Sequence, residues 1–332
     1  MATEPPNKPG PLVDLHVDTL SWLSRIPYRF DRLHRPWSIS PLLRPNHVDL
    51  PRLKEAGVRF VWWGIVPNPF VPRPSKGVFK TLRYVHRLIQ KHSQELHLVQ
   101  SPEHIEGCLN EDKIGCILTI EGGHALEGNL GMLERYREQG VRAMTLVHLT
   151  DNDLSPCSRK GRTGQLTSLG KEAVREMERL GIVVDAAHLP ERGIEQLSAV
   201  SRLPFVCSHG AAHSVCPHWR NLSDDSIRMI GACGGLVGAF FIREWIRPDR
   251  KGSIEDVVSH LERIKKVAGP SVPAIGSDFD GAVRMARGIE DVRALPRLEA
   301  LLMRQGWDPA DCRGVMGMNA VEFMRRVFSE VP

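Results

Sequence analysis

The sequence of 332 residues predicts an α/β fold, specifically a (β/α)8 barrel of the TIM type. Apolar stretches of strand length recur eight times, rich in valine and isoleucine and apolar on both faces. Such stretches are typical of strands that are buried on both sides of a parallel sheet. Segments with helical periodicity lie between them, and this alternation implies right-handed strand–helix–strand units. The predicted strands are 12–17, 59–66, 115–120, 143–147, 182–186, 204–207, 236–241 and 272–276.

Four helices have clear boundary signals. Residues 76–92 place apolar side chains on one face, and 168–180 do the same before Gly181, a typical end signal. The segment 253–267 starts with a serine three residues before an aspartate, in the manner of a capping box. Asp308-Pro309 combines a capping residue with a proline suited to the first turn.

The barrel is favoured over a doubly wound open sheet by the positions of its polar residues. Histidine, glutamate and aspartate follow six of the eight predicted strands. A barrel gathers residues from many strand ends at its carboxyl-terminal face, whereas an open sheet offers its site mainly at one switch point. We expect a single catalytic barrel domain over residues 11–332, preceded by a disordered leader at 1–10.

Composition excludes several classes of protein. No apolar stretch approaches the ~20 residues of a membrane span, and neither a signal peptide nor a lipid-anchor signal is present. The net charge of +5 is spread along the chain, so no nucleic-acid partner is expected. The seven cysteines form no Cys-x-x-Cys pair and suggest reduced thiols of a cytoplasmic protein.

The first predicted strand carries the most informative polar residues. His16 and Asp18 are two positions apart, so they point to the same face at the strand's carboxyl end. A histidine and a carboxylate held in this way make half of a divalent metal site. Glu121 ends another strand before two glycines and can bridge two ions with its two oxygens. Each residue alone is more often a solvated or capping group, and it is the set that favours a metal site.

Three more histidines follow strands. His188 and His209 end adjacent predicted strands beside small residues, which leave room for an ion and a substrate. His148, taken alone, is more often a hydrogen-bonded histidine than a metal ligand.

Two further residues are candidates for handling the substrate. Asp278 directly follows the last predicted strand, and Asp280 is its rival, two residues farther out where turn-forming aspartates are common. Arg220 is a surface arginine or, equally, a bidentate clamp for a carboxylate.

Together these residues predict a site for two divalent cations at the carboxyl ends of the strands. His16, Asp18 and Glu121 would hold one ion, and Glu121, His188 and His209 would hold the other. Nitrogen donors with carboxylates favour Zn²⁺, for which Mn²⁺ or Co²⁺ can substitute. Two such ions bind a hydroxide between them and polarise a carbonyl, which is chemistry suited to hydrolysing an amide bond.

Several motifs also occur in one order along residues 12–328. They are 14–20 (DLHVDTL), 47–53 (HVDLPRL), 121–123 (EGG), 145–152 (TLVHLTDN), 181–188 (GIVVDAAH), 208–225 and 276–281 (GSDFDG). In these motifs the chain resembles the renal (membrane) dipeptidase family of zinc metallopeptidases, within the amidohydrolase superfamily.

The resemblance implies a (β/α)8 barrel with two zinc ions per chain. It places the metal ligands on His16, Asp18, Glu121, His188 and His209, substrate contacts on His148 and Arg220, and the acid–base aspartate on Asp278. Glu121 and His148 count with Asp278 among the catalytic residues, and Asp278 also contacts the substrate.

The activity implied is hydrolysis of dipeptides, L-L and also L-D, by attack of the bridging hydroxide. Members of the family are commonly dimers, so a homodimer is compatible with the resemblance.

The departures from the family pattern concern the walls of the pocket. Phe240 stands where the family often has asparagine, and Val61 or Trp62 where it often has a polar residue. These departures bear on substrate preference. The alternative function is another metal-dependent amidohydrolase reaction, on a lactone, a phosphoester or by deamination.

Overall fold

A computed structural model of the chain describes residues 10–23, 29–33 and 47–329. The predicted disordered leader lies outside the described residues except for Gly10. No helix among the described residues has both the length and the apolar content needed to cross a bilayer.

Nine parallel strands in the described part of the chain form two hydrogen-bonded sheets. The strands are β1 Leu12–Val17, β2 Val58–Ile65, β3 Leu96–Leu98, β4 Ile114–Glu121, β5 Val141–Thr145, β6 Val183–Asp185, β7 Cys207–Gly210, β8 Val237–Ala239 and β9 Pro273–Ile275. The larger sheet has the order β1-β2-β4-β5-β6, with β3 beside the first half of β4, and the smaller sheet has the order β7-β8-β9. The predicted α/β class is therefore confirmed.

Single bridges connect the two sheets at both of their edges. Asp185 of β6 pairs with Val206, just before β7, and Val17 of β1 pairs with Phe279, beyond β9. Backbone hydrogen bonds accompany the second bridge, in which Asp18 N donates to the Phe279 oxygen over 2.9 Å. The strands therefore follow one another around a curved wall, in chain order apart from β3.

One strand was missed and two were displaced, of which the strand predicted at 143–147 is observed at Val141–Thr145. The short β3 was missed because its three residues have no periodicity to detect. The strand predicted at 204–207 is observed at 207–210, which places His209 inside β7 rather than beyond a strand. Cys207 is the first residue of β7 that pairs with β8. Val206, one residue earlier, makes only a single bridge to β6.

Twelve α-helices are found in the described residues. They are α1 Thr19–Leu23, α2 Leu50–Ala56, α3 Pro74–Lys91, α4 Pro102–Glu111, α5 Gly131–Glu138, α6 Ser168–Arg179, α7 Glu191–Val200, α8 Asp224–Ala232, α9 Ile254–Ala268, α10 Leu295–Arg304, α11 Pro309–Arg313 and α12 Asn319–Ser329. The predicted caps are confirmed at two starts. Ser253 N donates to the Asp256 carboxylate over 2.8 Å ahead of α9, and Asp308 accepts from Ala310 N ahead of α11.

The core has two parts, separated by the strands. The larger part packs the helices against the outer face of the sheets. The smaller part lies inside the curve of the strands and includes Leu15, Trp62 and Ile117 together with Phe323 and Met324 of α12. Helix α12 covers the amino-terminal ends of the strands, so the opposite, carboxyl-terminal ends carry the polar residues described next.

Candidate metal centre and active site

The ends of four strands bring the five predicted metal ligands to one place. His16 lies near the end of β1 and Asp18 directly follows that strand, while Glu121 is the last residue of β4. His188 lies three residues beyond β6, and His209 lies within β7. All five are buried, which is unusual for ionisable side chains unless they have partners or bind an ion.

Glu121 lies at the centre of this group. Its Oε1 is 2.9 Å from His188 Nε2 and 3.3 Å from His209 Nε2, and those two nitrogens are 3.0 Å apart. Its Oε2 is 3.6 Å from His16 Nε2, which in turn lies 3.6 Å from Asp18 Oδ1. The two oxygens of the carboxylate therefore face different predicted ligands, Oε1 the two later histidines and Oε2 His16.

The donor atoms on the His16 side have no hydrogen-bond partner. His16 Nε2, Asp18 Oδ1 and Glu121 Oε2 are all buried and unpartnered in the described part of the chain. A buried polar atom left without a partner costs about 1–3 kcal/mol, and three that converge would be a large defect in a structural core. Their arrangement fits a cation-binding site.

The donor spacing on the His188 side fits the same interpretation. Zinc bonds to nitrogen and oxygen are about 2.0–2.1 Å long, so neighbouring donors around a tetrahedral ion lie about 3.3 Å apart. Separations of 2.9–3.3 Å among Glu121, His188 and His209 are close to that value. The residues present therefore fit the metal that the sequence implies.

The charges around Glu121 favour a cation. Burial lowers the pKa of His16, but the negative charges of Glu121 and Asp18 outweigh burial and raise that pKa well above the usual value. Burial also opposes the charge on Glu121, yet His148 and His16 hold the pKa of Glu121 well below its usual value. The site therefore attracts positive charge, and either a proton or a metal ion can satisfy it.

His188 and His209 remain neutral in this environment. Burial is the main cause that lowers the pKa of each ring well below the usual value, and the nearby Arg220 charge adds to it. Neutral imidazole is the form that binds metals.

Gly64 of β2 makes room for the first pair of ligands. A Cβ atom at this position would lie 2.6 Å from Asp18 Oδ1 and 2.9 Å from His16 Cε1. Gly64 was not predicted as a site residue, although a glycine inside an apolar strand is a recognised signal of close approach.

Two site residues adopt a backbone conformation that is rare outside glycine. His188 has φ of +67° and Asp278 has φ of +62°. Non-glycine residues at positive φ are strained and cluster at functional sites. Each of them follows a strand closely, so the left-handed turn directs the side chain towards the ligand cluster.

The remaining predicted residues surround the same cluster. His148 Nε2 is 3.5 Å from Glu121 Oε1, and its side chain is 20% exposed, more than the metal-ligand candidates. One atom each of Asp278, His16 and Asp18 lie within 4.8 Å of one another. Burial first, and then the nearby charges of Asp18 and Glu121, raise the pKa of Asp278 well above its usual value.

Arg220 reaches the cluster from the loop after β7. Its Nη2 donates to the His209 carbonyl oxygen over 2.7 Å, while its Nε is buried without a partner among the described residues. The guanidinium carbon lies 5.9 Å from the centre of the Phe240 ring. A buried guanidinium with a donor left over can bind an anion.

Asp280, the rival of Asp278, has a structural part instead. Thr19 Oγ1 donates to its side chain over 2.5 Å, and the backbone N–H of His47 donates to it over 2.9 Å. Its own backbone N–H donates to His47 Nδ1. Asp280 is thereby committed to holding the loop after β9, and Asp278 is the residue that faces the ligand cluster.

Comparison with known proteins matches this chain to one family along most of its length. The family model described as membrane dipeptidase (peptidase family M19) matches residues 7–331.

Solved structures of similar proteins share the fold. A dipeptidase described as a metallopeptidase of family M19 is 25% identical, with a TM-score of 0.83 over 97% of this chain and 99% of its own. A metallopeptidase from Rhodobacter sphaeroides, solved with a phosphinate mimic of the dipeptide L-Ala-D-Ala, is 25% identical, with a TM-score of 0.83 over 96% of this chain and 100% of its own. The probable dipeptidase PvdM from Pseudomonas aeruginosa is 18% identical, with a TM-score of 0.85 over 96% of each chain, and shows likeness of fold.

Proposed function

The chain belongs to the membrane dipeptidase family, peptidase family M19, and is a metallo-dipeptidase; on that basis we propose that it hydrolyses the peptide bond of dipeptides with two zinc ions. His16, Asp18 and Glu121 would hold one ion, and Glu121, His188 and His209 the other. The observation that carries this proposal is the divided environment of Glu121. Its Oε2 lies 3.6 Å from His16 Nε2, which lies 3.6 Å from Asp18 Oδ1, and both of these atoms are unpartnered among the described residues; its Oε1 faces two histidine nitrogens at ligand spacing.

When bound, two zinc ions supply Lewis acidity towards the scissile carbonyl and activate a water molecule at neutral pH. The protein's own residues then bind, orient and move protons.

Arg220 binds the free carboxylate of the dipeptide. Its unpartnered Nε–H and its position against the His209 backbone place a fixed positive charge beside the ligand cluster. A free carboxylate at this distance from the scissile bond is a property of dipeptides, so the clamp selects substrate length.

His148 and Asp278 act on the reacting atoms. His148, which is more exposed than Arg220 and Asp278, stabilises the negative charge that develops on the carbonyl oxygen. Asp278, whose pKa is raised by burial, accepts a proton from the attacking water and delivers it to the leaving amine. A carboxyl with a raised pKa can serve in both directions near neutral pH.

We include L-D as well as L-L dipeptides in the proposed substrate range. The support is the similar metallopeptidase from Rhodobacter sphaeroides that was solved with an L-Ala-D-Ala mimic. The chain's own pocket wall differs from the family pattern at Phe240, so the preferred side chains are a separate question.

We further propose that the two sheets form one closed eight-stranded barrel in a single domain, with β3 as an addition outside it. The bridges Asp185–Val206 and Val17–Phe279 support closure at both edges. The seven free cysteines support a reducing compartment such as the cytoplasm.

A dipeptide panel tests the function. Zinc-loaded protein should release free amino acids from L-L and L-D dipeptides, lose this activity with a chelator and regain it with zinc. His188→Ala should abolish hydrolysis and reduce the bound zinc. Hydrolysis of a lactone or a phosphoester, with no dipeptide cleaved, would instead favour the alternative amidohydrolase chemistry.

A further inference from the structure

Two buried aspartates accept backbone hydrogen bonds at the two edges where the sheets meet, one aspartate at each edge. At one edge, Asp14 Oδ1 accepts from the backbone N–H of His16 over 3.1 Å and from that of Ser277 over 2.9 Å. At the other edge, Asp185 Oδ1 accepts from Ala187 N and from Ser208 N, both over 2.9 Å. Each carboxylate replaces ladder hydrogen bonds that the sheet lacks there.

Both serines directly precede a residue of the site. Ser277 precedes Asp278, and Ser208 precedes His209. The aspartate of each pair therefore fixes the position of a functional residue on the neighbouring strand. Each aspartate also acts on its own strand, because Asp14 accepts the N–H of His16 and Asp185 accepts the N–H of Ala187, which immediately precedes His188.

The Asp185 pair has an additional feature that the Asp14 pair lacks. Ser208 Oγ is 2.5 Å from Asp185 Oδ2 and 2.9 Å from His209 Nδ1. In the other pair, Asp14 Oδ2 is buried and within hydrogen-bond distance and angle of no donor among the described residues. The hydroxyl group of Ser208 therefore links the Asp185 carboxylate to the metal-ligand candidate His209 by hydrogen bonds.

The direction of these hydrogen bonds follows from counting protons. Burial raises the pKa of Asp185, while its hydrogen bonds from Ser208 and Ala187 lower it. A serine hydroxyl has one proton, and the Asp185 carboxylate in its ionised form can only accept. Ser208 must therefore donate to Asp185, and Ser208 Oγ must accept from His209. The proton of the neutral His209 ring then lies on Nδ1, and Nε2 presents its lone pair to Glu121 and His188.

We propose that Asp185 and Ser208 are positioning residues that hold His209 in the Nε2-binding tautomer and set the turn that carries His188. This inference rests on the proposed metal-dependent function. Neither residue is among the predicted metal ligands or substrate contacts, and their hydrogen bonds act on both histidines of one predicted metal site. A histidine ligand whose other nitrogen is fixed by a hydrogen bond is both oriented and a stronger donor.

Asp185→Asn provides a test with a qualitative outcome. The asparagine carbonyl must take the place of Oδ1, because Ala187 N and Ser208 N both donate there. The amide NH₂ then occupies the Oδ2 position and donates to Ser208 Oγ. The hydroxyl proton of Ser208 is released to donate to His209 Nδ1, which moves the ring proton to Nε2.

The tautomer can be read from ¹⁵N spectra of histidine-labelled, metal-free protein, with His209 identified by the loss of its signals in His209→Gln. We expect a protonated Nδ1 in the original protein and a protonated Nε2 in Asp185→Asn. An unprotonated Nδ1 in the original protein, or the same tautomer in both proteins, would overturn the proposal.

Metal affinity provides a second readout, which also applies if Asp185→Asn does not fold. We expect Ser208→Ala to weaken zinc binding in competition with a chelator by about 10–100-fold. Ser226→Ala, at a buried serine of α8, should leave zinc affinity within about 2-fold. Equal affinities for Ser208→Ala and the original protein would contradict the positioning role. Failure of the original protein to bind zinc would instead contradict the proposed function.

Discussion

Arg220 shows how much a single side chain contributes to the proposed specificity. Its guanidinium is buried, is tied by one nitrogen to the His209 carbonyl and keeps Nε without a partner among the described residues. A charged donor of this kind contributes about 1.5–3 kcal/mol per hydrogen bond to an anionic ligand.

The predicted consequence concerns the substrate carboxylate. Arg220→Ala should lower kcat/KM for a dipeptide with a free carboxyl end by about 100-fold, or about 2.7 kcal/mol. The same dipeptide with an amidated end should already be a poor substrate and should lose much less from the substitution. Steady-state kinetics should be measured for both substrates with the original protein and with Arg220→Ala. They distinguish the loss of carboxylate binding from a structural effect on the loop around His209. An equal loss on the amidated substrate would show that Arg220 is structural.

The role of Asp278 as an acid–base residue must be distinguished from a role as a metal ligand. Its carboxyl group lies near His16 and Asp18, so it could in principle act as a ligand rather than as an acid–base group. Asp278→Asn should reduce kcat by about 10²–10⁴-fold, the usual contribution of a general acid–base group.

The bound zinc decides between the two roles. Two ions per chain should remain in Asp278→Asn when metal content is measured by mass spectrometry. Loss of one ion together with activity would identify Asp278 as a metal ligand and contradict the acid–base assignment.

At the residue scale, the sequence predicted which residues would lie together, but not the hydrogen bonds and turns that support them. All eight candidate residues lie around one cluster, because residues that follow parallel strands must meet at one end of the sheet. The positive φ of His188 could not be predicted, since nothing in the local sequence requires it. In the sequence, Asp185 is only a charged residue inside an apolar strand. Its partner Ser208 lies on another strand, so their contact could not be predicted.

Among the elements, β2 contributes space rather than a ligand. Gly64 faces His16 and Asp18 so closely that a methyl group would displace them. Gly64→Ala should therefore keep the fold but weaken zinc binding on the His16 side by at least about 10-fold, a loss typical of disturbed ligand support.

A matched glycine variant serves as the control. Gly77 lies within α3 with no atom within 4 Å of an added Cβ, so Gly77→Ala should leave zinc affinity unchanged. It should also stabilise the helix by up to about 1 kcal/mol. Zinc titrations and thermal unfolding of both variants check the pair, and unchanged zinc binding in Gly64→Ala would contradict the account.

The strands and helices were predictable to the extent that they are periodic. The bounds of β1 agree with the prediction, and the α9 and α11 caps were recognisable from two residues each. The strand β3 and the true position of β7 were not recognisable, because both depend on which neighbour each backbone pairs with. Pairing between distant strands is a tertiary property that local sequence does not encode.

In the molecule as a whole, the packing that stabilises the fold and the candidate active site lie at opposite ends of the strands. Helix α12 covers the amino-terminal ends, where Phe323 packs beside Trp62 with ring centres 6.5 Å apart. The ligand cluster occupies the carboxyl-terminal ends. Substitutions at the covered end should therefore change folding energy and leave the site intact.

Phe323→Leu tests this separation. The smaller side chain leaves a partial cavity in the inner core, which should lower the free energy of unfolding by about 1–2 kcal/mol. Urea denaturation of the metal-free protein measures the loss. Zinc affinity of the folded variant should equal that of the original protein, and a parallel fall in zinc affinity would show that the two ends are coupled.

The central claim is that one buried glutamate holds two ions between two pairs of ligands. Crystals grown with zinc and measured at the zinc absorption edge test it most directly. The account predicts two anomalous peaks per chain, both at Glu121, one beside His16 and Asp18 and the other beside His188 and His209. An absence of zinc at Glu121, or a single ion held by other residues, would contradict it.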